Sequence, residues 1–170
     1  MAEKLLAELK ARCRDPDGVR RRLAADAIAE RTVRQLDTYF VVAHGRLKLR
    51  EVESVPAELI HYERPDLAGV KPSRVRLLPV GDGAATRALL EAALGVRARV
   101  AKVREIWRWE SVQVHVDEVD GLGTFIEFEE TVGTDGELEA ARTHLADLLA
   151  RLGVPTADLC ATSYAEMVTT

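Results

Sequence analysis

Val112-Gln113-Val114-His115-Val116-Asp117-Glu118-Val119-Asp120-Gly121-Leu122-Gly123-Thr124-Phe125-Ile126-Glu127-Phe128-Glu129-Glu130 contains two runs that alternate in character, joined by a glycine-bearing turn. Alternation at every second residue is the pattern of a half-buried strand, and two such runs around a glycine turn read as a hairpin. In the second run Phe125, Glu127 and Glu129 share one face, and Thr124, Ile126, Phe128 and Glu130 share the other. Carboxylates stacked this closely repel unless cations lie between or opposite them. The hairpin therefore asks the rest of the chain for positive charge.

The chain supplies it in the same alternating form. Val96–Trp109 sets Val100, Lys102, Arg104 and Ile106 against Val103, Glu105 and Trp107, which extends the hairpin to a three-strand meander. Arg46-Leu47-Lys48-Leu49-Arg50 puts Arg46, Lys48 and Arg50 on one face. Glu8, Lys10 and Arg12 alternate with Leu9 and Ala11 in the first strand. Ala57–Arg64 and Ser73–Val80 continue the pattern, the latter with Arg74 and Arg76 against Val75 and Leu77, and Thr32–Phe40 is rich in strand-forming residues.

Helices are announced by their caps. Asp15-Pro16-Asp17 starts one expected to reach about Ala29, with Val19, Leu23, Ala27 and Ile28 on its apolar side. Asp82 opens a second, with Leu89, Leu90, Ala93 and Leu94 at helical spacing and Gly95 as its stop. Thr134 and Glu137 form a capping-box pair before the stripe Leu138, Ala141, Leu145, Leu148, Leu149 and Leu152, and Ser163–Met167 reads as a last helical turn.

About eight strands in consecutive runs, with three or four helices, make the class α+β with antiparallel hairpins. The helical stripes need the apolar strand faces as cover, so the helices pack outside the sheet. The ionic strand faces then look either to bulk water or, if the sheet curls shut, into a lumen, and the residues alone leave both open. Cations recur on several strands while carboxylates gather at Glu8, Asp117, Glu127 and Glu129, a segregation unusual for a solvated face. A lumen so lined would bind an anion, with a corner of oxygen ligands for Mg²⁺ or Mn²⁺.

The 170 residues, 47% hydrophobic and 31% charged, fit one domain spanning 1–170. A net charge of -4 argues against a nucleic-acid polymer or anionic membrane as partner. No apolar run approaches the ~20 residues that span a bilayer, and the start lacks a signal peptide's layout, so the expected location is cytoplasmic. Cys13 and Cys160 are too few and too isolated for a disulfide framework or zinc site. Trp107 and Trp109 read as packing residues. His115 alternates with Asp117 and could join a site, His44, His61 and His144 lack ligand spacing, and a hydrogen-bonded structural role is the expected reading of each; Tyr164 reads as a core residue or a cover for one end of a lumen.

Taken in order, these segments resemble the CYTH superfamily, or triphosphate tunnel metalloenzymes, which includes class IV adenylyl cyclases and thiamine and inorganic triphosphatases. The resemblance rests on Glu8-Leu9-Lys10-Ala11-Arg12, Gln35-x-Asp37-Thr38-Tyr39-Phe40, Gly45-Arg46-Leu47-Lys48-Leu49-Arg50, Tyr62-x-Arg64, Lys102-x-Arg104 and Asp117-x-x-x-x-Leu122-Gly123-x-Phe125-x-Glu127-x-Glu129. The third and last of these look most like class IV cyclase-like proteins. The resemblance implies a closed antiparallel β-barrel, or tunnel, with helices outside, acting on a triphosphate-containing small molecule, with a homodimer possible. It implies phosphate contacts from Lys10, Arg12, Lys48, Arg50, Arg64, Lys102 and Arg104, and metal contacts from Glu8, Glu127, Glu129 and Asp117. Glu8, Lys10, Arg64 and Arg104 form the implied catalytic set. The implied activity is ATP to cyclic AMP and pyrophosphate, with triphosphate hydrolysis or phosphate-ligand binding alone as alternatives. One position departs from the pattern: the first acid of the family's Glu-x-Glu-x-Lys strand falls on Leu6. That loss should weaken a metal site or change the number of ions held.

Overall fold

The computed structural model describes residues 1–169, with backbone alone at Asp135. Eight strands close into a ring: β1 (Ala2–Arg12), β2 (Ile28–Phe40), β3 (Arg46–Val52), β4 (Ala57–Glu63), β5 (Lys71–Val80), β6 (Val96–Trp109), β7 (Val112–Val119) and β8 (Gly123–Val132). The order around the barrel is β1-β5-β4-β3-β2-β6-β7-β8, and every neighbouring pair is antiparallel. The ionic faces thus look into a lumen. The opening hairpin is β7–β8, whose turn needs left-handed backbone at Gly121 (φ 75°) and Gly123 (φ 88°), conformations glycine adopts without steric cost.

Four helices decorate the ring: α1 (Pro16–Asp26), α2 (Gly83–Leu94), α3 (Asp135–Arg151) and α4 (Tyr164–Met167). The main core lies outside the barrel. Leu9, Val114, Val116, Ile126 and Phe128 point outward from β1, β7 and β8 and meet Val19 and Leu23 of α1 and Leu145, Leu148 and Leu152 of α3. Fixing that outward face forces the alternate residues of the same strands inward, because side chains alternate strictly.

Two expectations need correction. Helix α1 stops at Asp26 rather than near Ala29, and Ile28 begins β2 with 61% of its surface exposed. The β-branched Ile28 continues the strand that pairs with β6, whereas only Ala27 of the expected stripe's end packs on the core. Helix α2 is not covered as an amphipathic helix should be: Leu90 packs beside Phe40 and Leu49, but Leu89 is 68% exposed and no residue of the helix is buried. On β5 the pattern inverts. Arg74 and Arg76 face outward to Glu3 and Glu63 at 3.2–3.5 Å, while Val75 and Leu77 line the lumen.

Candidate active site

The lumen is a cavity of about 550 Å³, within the ~300–1,000 Å³ usual for small-molecule sites. Register places its residues in tiers. Lys10 of β1 lies opposite Glu127 of β8, and Glu8 lies opposite Glu129. Arg104 of β6 lies opposite Asp117 of β7, and His115 lies opposite Glu127.

Two buried aspartates organise the cations. Asp37 on β2 accepts from Lys48 Nζ at 2.7 Å and from Arg50 Nε at 3.3 Å, both on β3. Asp117 accepts from Lys102 Nζ at 2.8 Å and from Arg104 Nε and Nη2 at 2.7 and 2.6 Å. Burial alone would raise both carboxyl pKa values, but the adjacent cations hold each well below the ordinary 3.8. Each aspartate fixes two flexible basic side chains in place. Burial and the neighbouring Arg104 press Lys102 down to about 8, against the pull of Asp117.

The acids of β8 are bridged by cations from other strands. Glu127 Oε1 is 2.9 Å from Lys10 Nζ, and Oε2 accepts from Arg104 Nη2. Burial opposes ionisation, yet Lys10, Arg104 and Lys102 hold Glu127 well below its ordinary 4.5. Glu8 accepts from Arg64 Nη1 at 3.0 Å. The Nε and Nη2 of Arg64 are buried without a hydrogen-bond partner, as is Nδ1 of His115. Unpaired buried donors are costly, and those of a guanidinium suit the oxygens of a phosphate.

Of the expected phosphate contacts, Lys10, Lys48, Arg50, Arg64, Lys102 and Arg104 all line the cavity. Arg12 does not. It is exposed beyond the tunnel floor, over the ring of Phe125 at 5.0 Å and donating to the Leu122 carbonyl at 3.3 Å. Of the expected metal ligands, Glu8, Glu127 and Glu129 line the cavity. Asp117 sits elsewhere: it is wholly buried, and its two oxygens are taken by Lys102, Arg104 and the Tyr164 hydroxyl. It acts as a counter-ion.

Two features escape sequence reasoning, and a third, the cover that Tyr164 gives one end of the lumen, is one of the two roles expected for that residue. Asp37 carries the same duty as Asp117, and its position two residues before Tyr39 on an alternating strand was the available signal. The floor is closed by α4, whose Tyr164 donates to Asp117 at 3.0 Å, stacks edge-on to Phe125 and lies 3.4 Å beneath Lys10 Nζ. Finally, Leu6, Ile60, Val75 and Leu77 form an apolar wall facing the ionic one. Leu6 belongs to that wall.

His115, Glu127 and Glu129 offer ligand atoms all within 4.8 Å of one another. Mixed imidazole and carboxylate donors fit a divalent cation, and Glu8 stands across from Glu129 on the next strand.

The CYTH domain model matches residues 6–164. A protein of Methanocaldococcus jannaschii named "putative adenylate cyclase" is 28% identical over 68 residues, which is 40% of this chain and 39% of that protein's length. The structure of the PH1012 protein of Pyrococcus horikoshii superposes with a TM-score of 0.84 at 21% identity, covering 95% of this chain and 98% of that one. A Hippeastrum protein superposes with a TM-score of 0.63 at 15% identity over 94% and 91% of the two chains. It is described as a "putative adenylyl cyclase" with dominant triphosphatase activity. These structural likenesses show a shared tunnel fold, and the family match, running from the first tunnel strand to the tyrosine that closes its floor, makes this chain a member of the CYTH domain family, whose members process triphosphates as cyclases or triphosphatases.

Proposed function

We propose that the chain is a metal-dependent enzyme that binds a triphosphate-bearing small molecule in its tunnel and, as a class IV adenylyl cyclase does, converts ATP to cyclic AMP and pyrophosphate. The observation that carries the binding half is Arg64, whose buried Nε and Nη2 have no partner and which lines the same cavity as Lys10, Lys48, Arg50, Lys102 and Arg104. Phosphoryl transfer needs aligned reactants, clamped oxygens and neutralised charge rather than covalent help. Lys10, Lys48, Arg50, Arg64, Lys102 and Arg104 provide the clamp. Asp37 and Asp117 keep four of them from swinging away, so little reorganisation remains when the ligand enters. Glu127 and Glu129, with Glu8, would hold the divalent metal, which when bound supplies charge neutralisation at the phosphate oxygens. The wall of Leu6, Ile60, Val75 and Leu77 has nothing to offer a phosphate, and its fit to an organic group supports a nucleoside or similar triphosphate.

A second reading, hydrolysis of the terminal phosphate, is supported by the triphosphatase activity described for the Hippeastrum protein of like fold. Incubating the protein with ATP, thiamine triphosphate or tripolyphosphate and Mg²⁺ or Mn²⁺ separates the cases. Cyclic AMP with equimolar pyrophosphate is the expected product from ATP. Inorganic phosphate from any of the three would establish the hydrolase instead, and tight binding with no product would reduce the tunnel to a receptor.

A further inference from the structure

His115 is 2% exposed, and its Nδ1 has no hydrogen-bond partner. The ring is oriented from its other side, where Nε2 lies 3.4 Å from Gln113 Oε1. In the tautomer with the proton on Nε2, that nitrogen donates to Gln113 Oε1 and the Nδ1 lone pair faces the acid wall, the form that a metal would select. There Nδ1 stands 3.9 Å from Glu127 Oε2 and 3.8 Å from Glu129 Oε1. Those gaps are too long for hydrogen bonds. They match the spacing of neighbouring ligands around one ion, because donors each about 2.1 Å from a shared cation lie about 3–4 Å apart. Glu129 is the freest acid: among the described residues its sole salt-bridge partner is His115. Glu127 is shared, since Lys10 and Arg104 already hold its oxygens.

We propose that His115 Nδ1, Glu127 and Glu129 form a nitrogen-and-oxygen site for a divalent transition metal of the Mn²⁺, Co²⁺ or Zn²⁺ class, in preference to Mg²⁺. The inference deepens the reading above, because it assigns the metal of the same tunnel. Mg²⁺ favours all-oxygen octahedra and parts reluctantly with its water, whereas imidazole suits first-row transition metals. Leu6 gives the asymmetry its sense. Where a carboxylate would have supplied an oxygen on β1, diagonal to Glu129, the chain carries a methyl-ended side chain, and the nitrogen donor lies on the opposite flank of β8. An oxygen donor is missing on one side of the acid strand and a nitrogen donor is present on the other.

The test is calorimetric titration of the full chain with Mn²⁺, Co²⁺ and Mg²⁺ in the absence of any phosphate, with the visible absorption of the Co²⁺ form as a second readout. Mn²⁺ and Co²⁺ should bind at least tenfold more tightly than Mg²⁺, and the Co²⁺ bands should show nitrogen ligation. His115→Gln should lower Co²⁺ affinity at least tenfold while changing Mg²⁺ affinity and tripolyphosphate binding less than twofold. Because His115 is buried, a variant-free measurement stands beside it: substoichiometric Mn²⁺ should broaden the imidazole signals of His115 before those of His44, His61 and His144 in ¹⁵N-histidine spectra. Equal or tighter Mg²⁺ binding, no metal binding at all, or simultaneous broadening of all four histidines would overturn the proposal. If tripolyphosphate fails to bind while Co²⁺ still occupies the histidine site, the enzymatic reading falls and this one stands. If tripolyphosphate binds and Mg²⁺ is preferred, the reverse holds.

Discussion

The two long walls of the tunnel are built by the same alternation and carry opposite chemistry. On β6, β7 and β8 the inward residues are Arg104, His115, Glu127 and Glu129, while the outward Val114, Val116, Ile126 and Phe128 lie under α1 and α3. On β1, β4 and β5 the inward residues include Leu6, Ile60, Val75 and Leu77, and the outer side of β5 presents Arg74 and Arg76 to solvent. The difference follows what covers each strand from outside. A strand beneath a helix must send its apolar face outward and is free to be ionic within. The outer side of β5 is polar at Arg74 and Arg76, so its lumen side can be apolar. The helices over β7 and β8 thus leave the lumen side of those two strands free to carry charge.

Substitutions on each wall can break or sharpen that contrast. The largest effect is expected for Glu127→Gln, which leaves Lys10 and Arg104 short of a counter-charge and the metal short of an oxygen; activity with ATP should fall roughly a hundredfold or more, scored as product formed per enzyme. Arg64→Lys keeps the charge beside Glu8 but removes the two unpaired guanidinium donors, so tripolyphosphate affinity should drop about tenfold by calorimetry. An unchanged affinity would mean that the donors do not meet phosphate. Leu6→Glu makes the apolar wall resemble the ionic one. It should cost about 1–3 kcal/mol of stability in metal-free denaturant unfolding and raise Mg²⁺ affinity several-fold.

The smallest effect concerns pH. Lys102 loses its charge near 8 in the folded protein, against 10.5 ordinarily. Tripolyphosphate affinity should therefore decline as pH rises through about 8, and Lys102→Arg should flatten the decline. Stability moves the other way. Between about 8 and 10.5 the unfolded chain binds the proton that folded Lys102 has released, so this group's destabilising contribution fades as pH rises.

Much of this was legible in the sequence wherever a two-residue period met charge. The faces of β8 and β6 follow directly from Glu127, Glu129, Lys102 and Arg104, and an inward cation surrounded by aliphatic neighbours declares its strand. Closure of the ring was not legible from periodicity, since an open sheet gives the same pattern; it came from the resemblance of the ordered motifs. The fate of α2 was hidden because an apolar stripe on a helix does not reveal whether anything lies beneath it, and only Leu90 found a partner. The pairing of Asp117 with Lys102 and Arg104 is hidden because a carboxylate beside a metal and one beside two cations have the same signature in sequence. For His115 the alternation with Asp117 allows a place in a site, but no spacing in the chain announces that a ring nitrogen is left without a hydrogen-bond partner.

Tyr164 and Phe125 seal the floor of the tunnel, with Lys10 resting on the tyrosine ring. A ligand that reaches this floor meets Lys10 and the inner cations. Pyrophosphate or tripolyphosphate, gripped by the inner cations, should accordingly behave as a competitive inhibitor against the incoming triphosphate in initial-rate measurements. The tyrosine at the floor would then set how deep the innermost phosphate can sit.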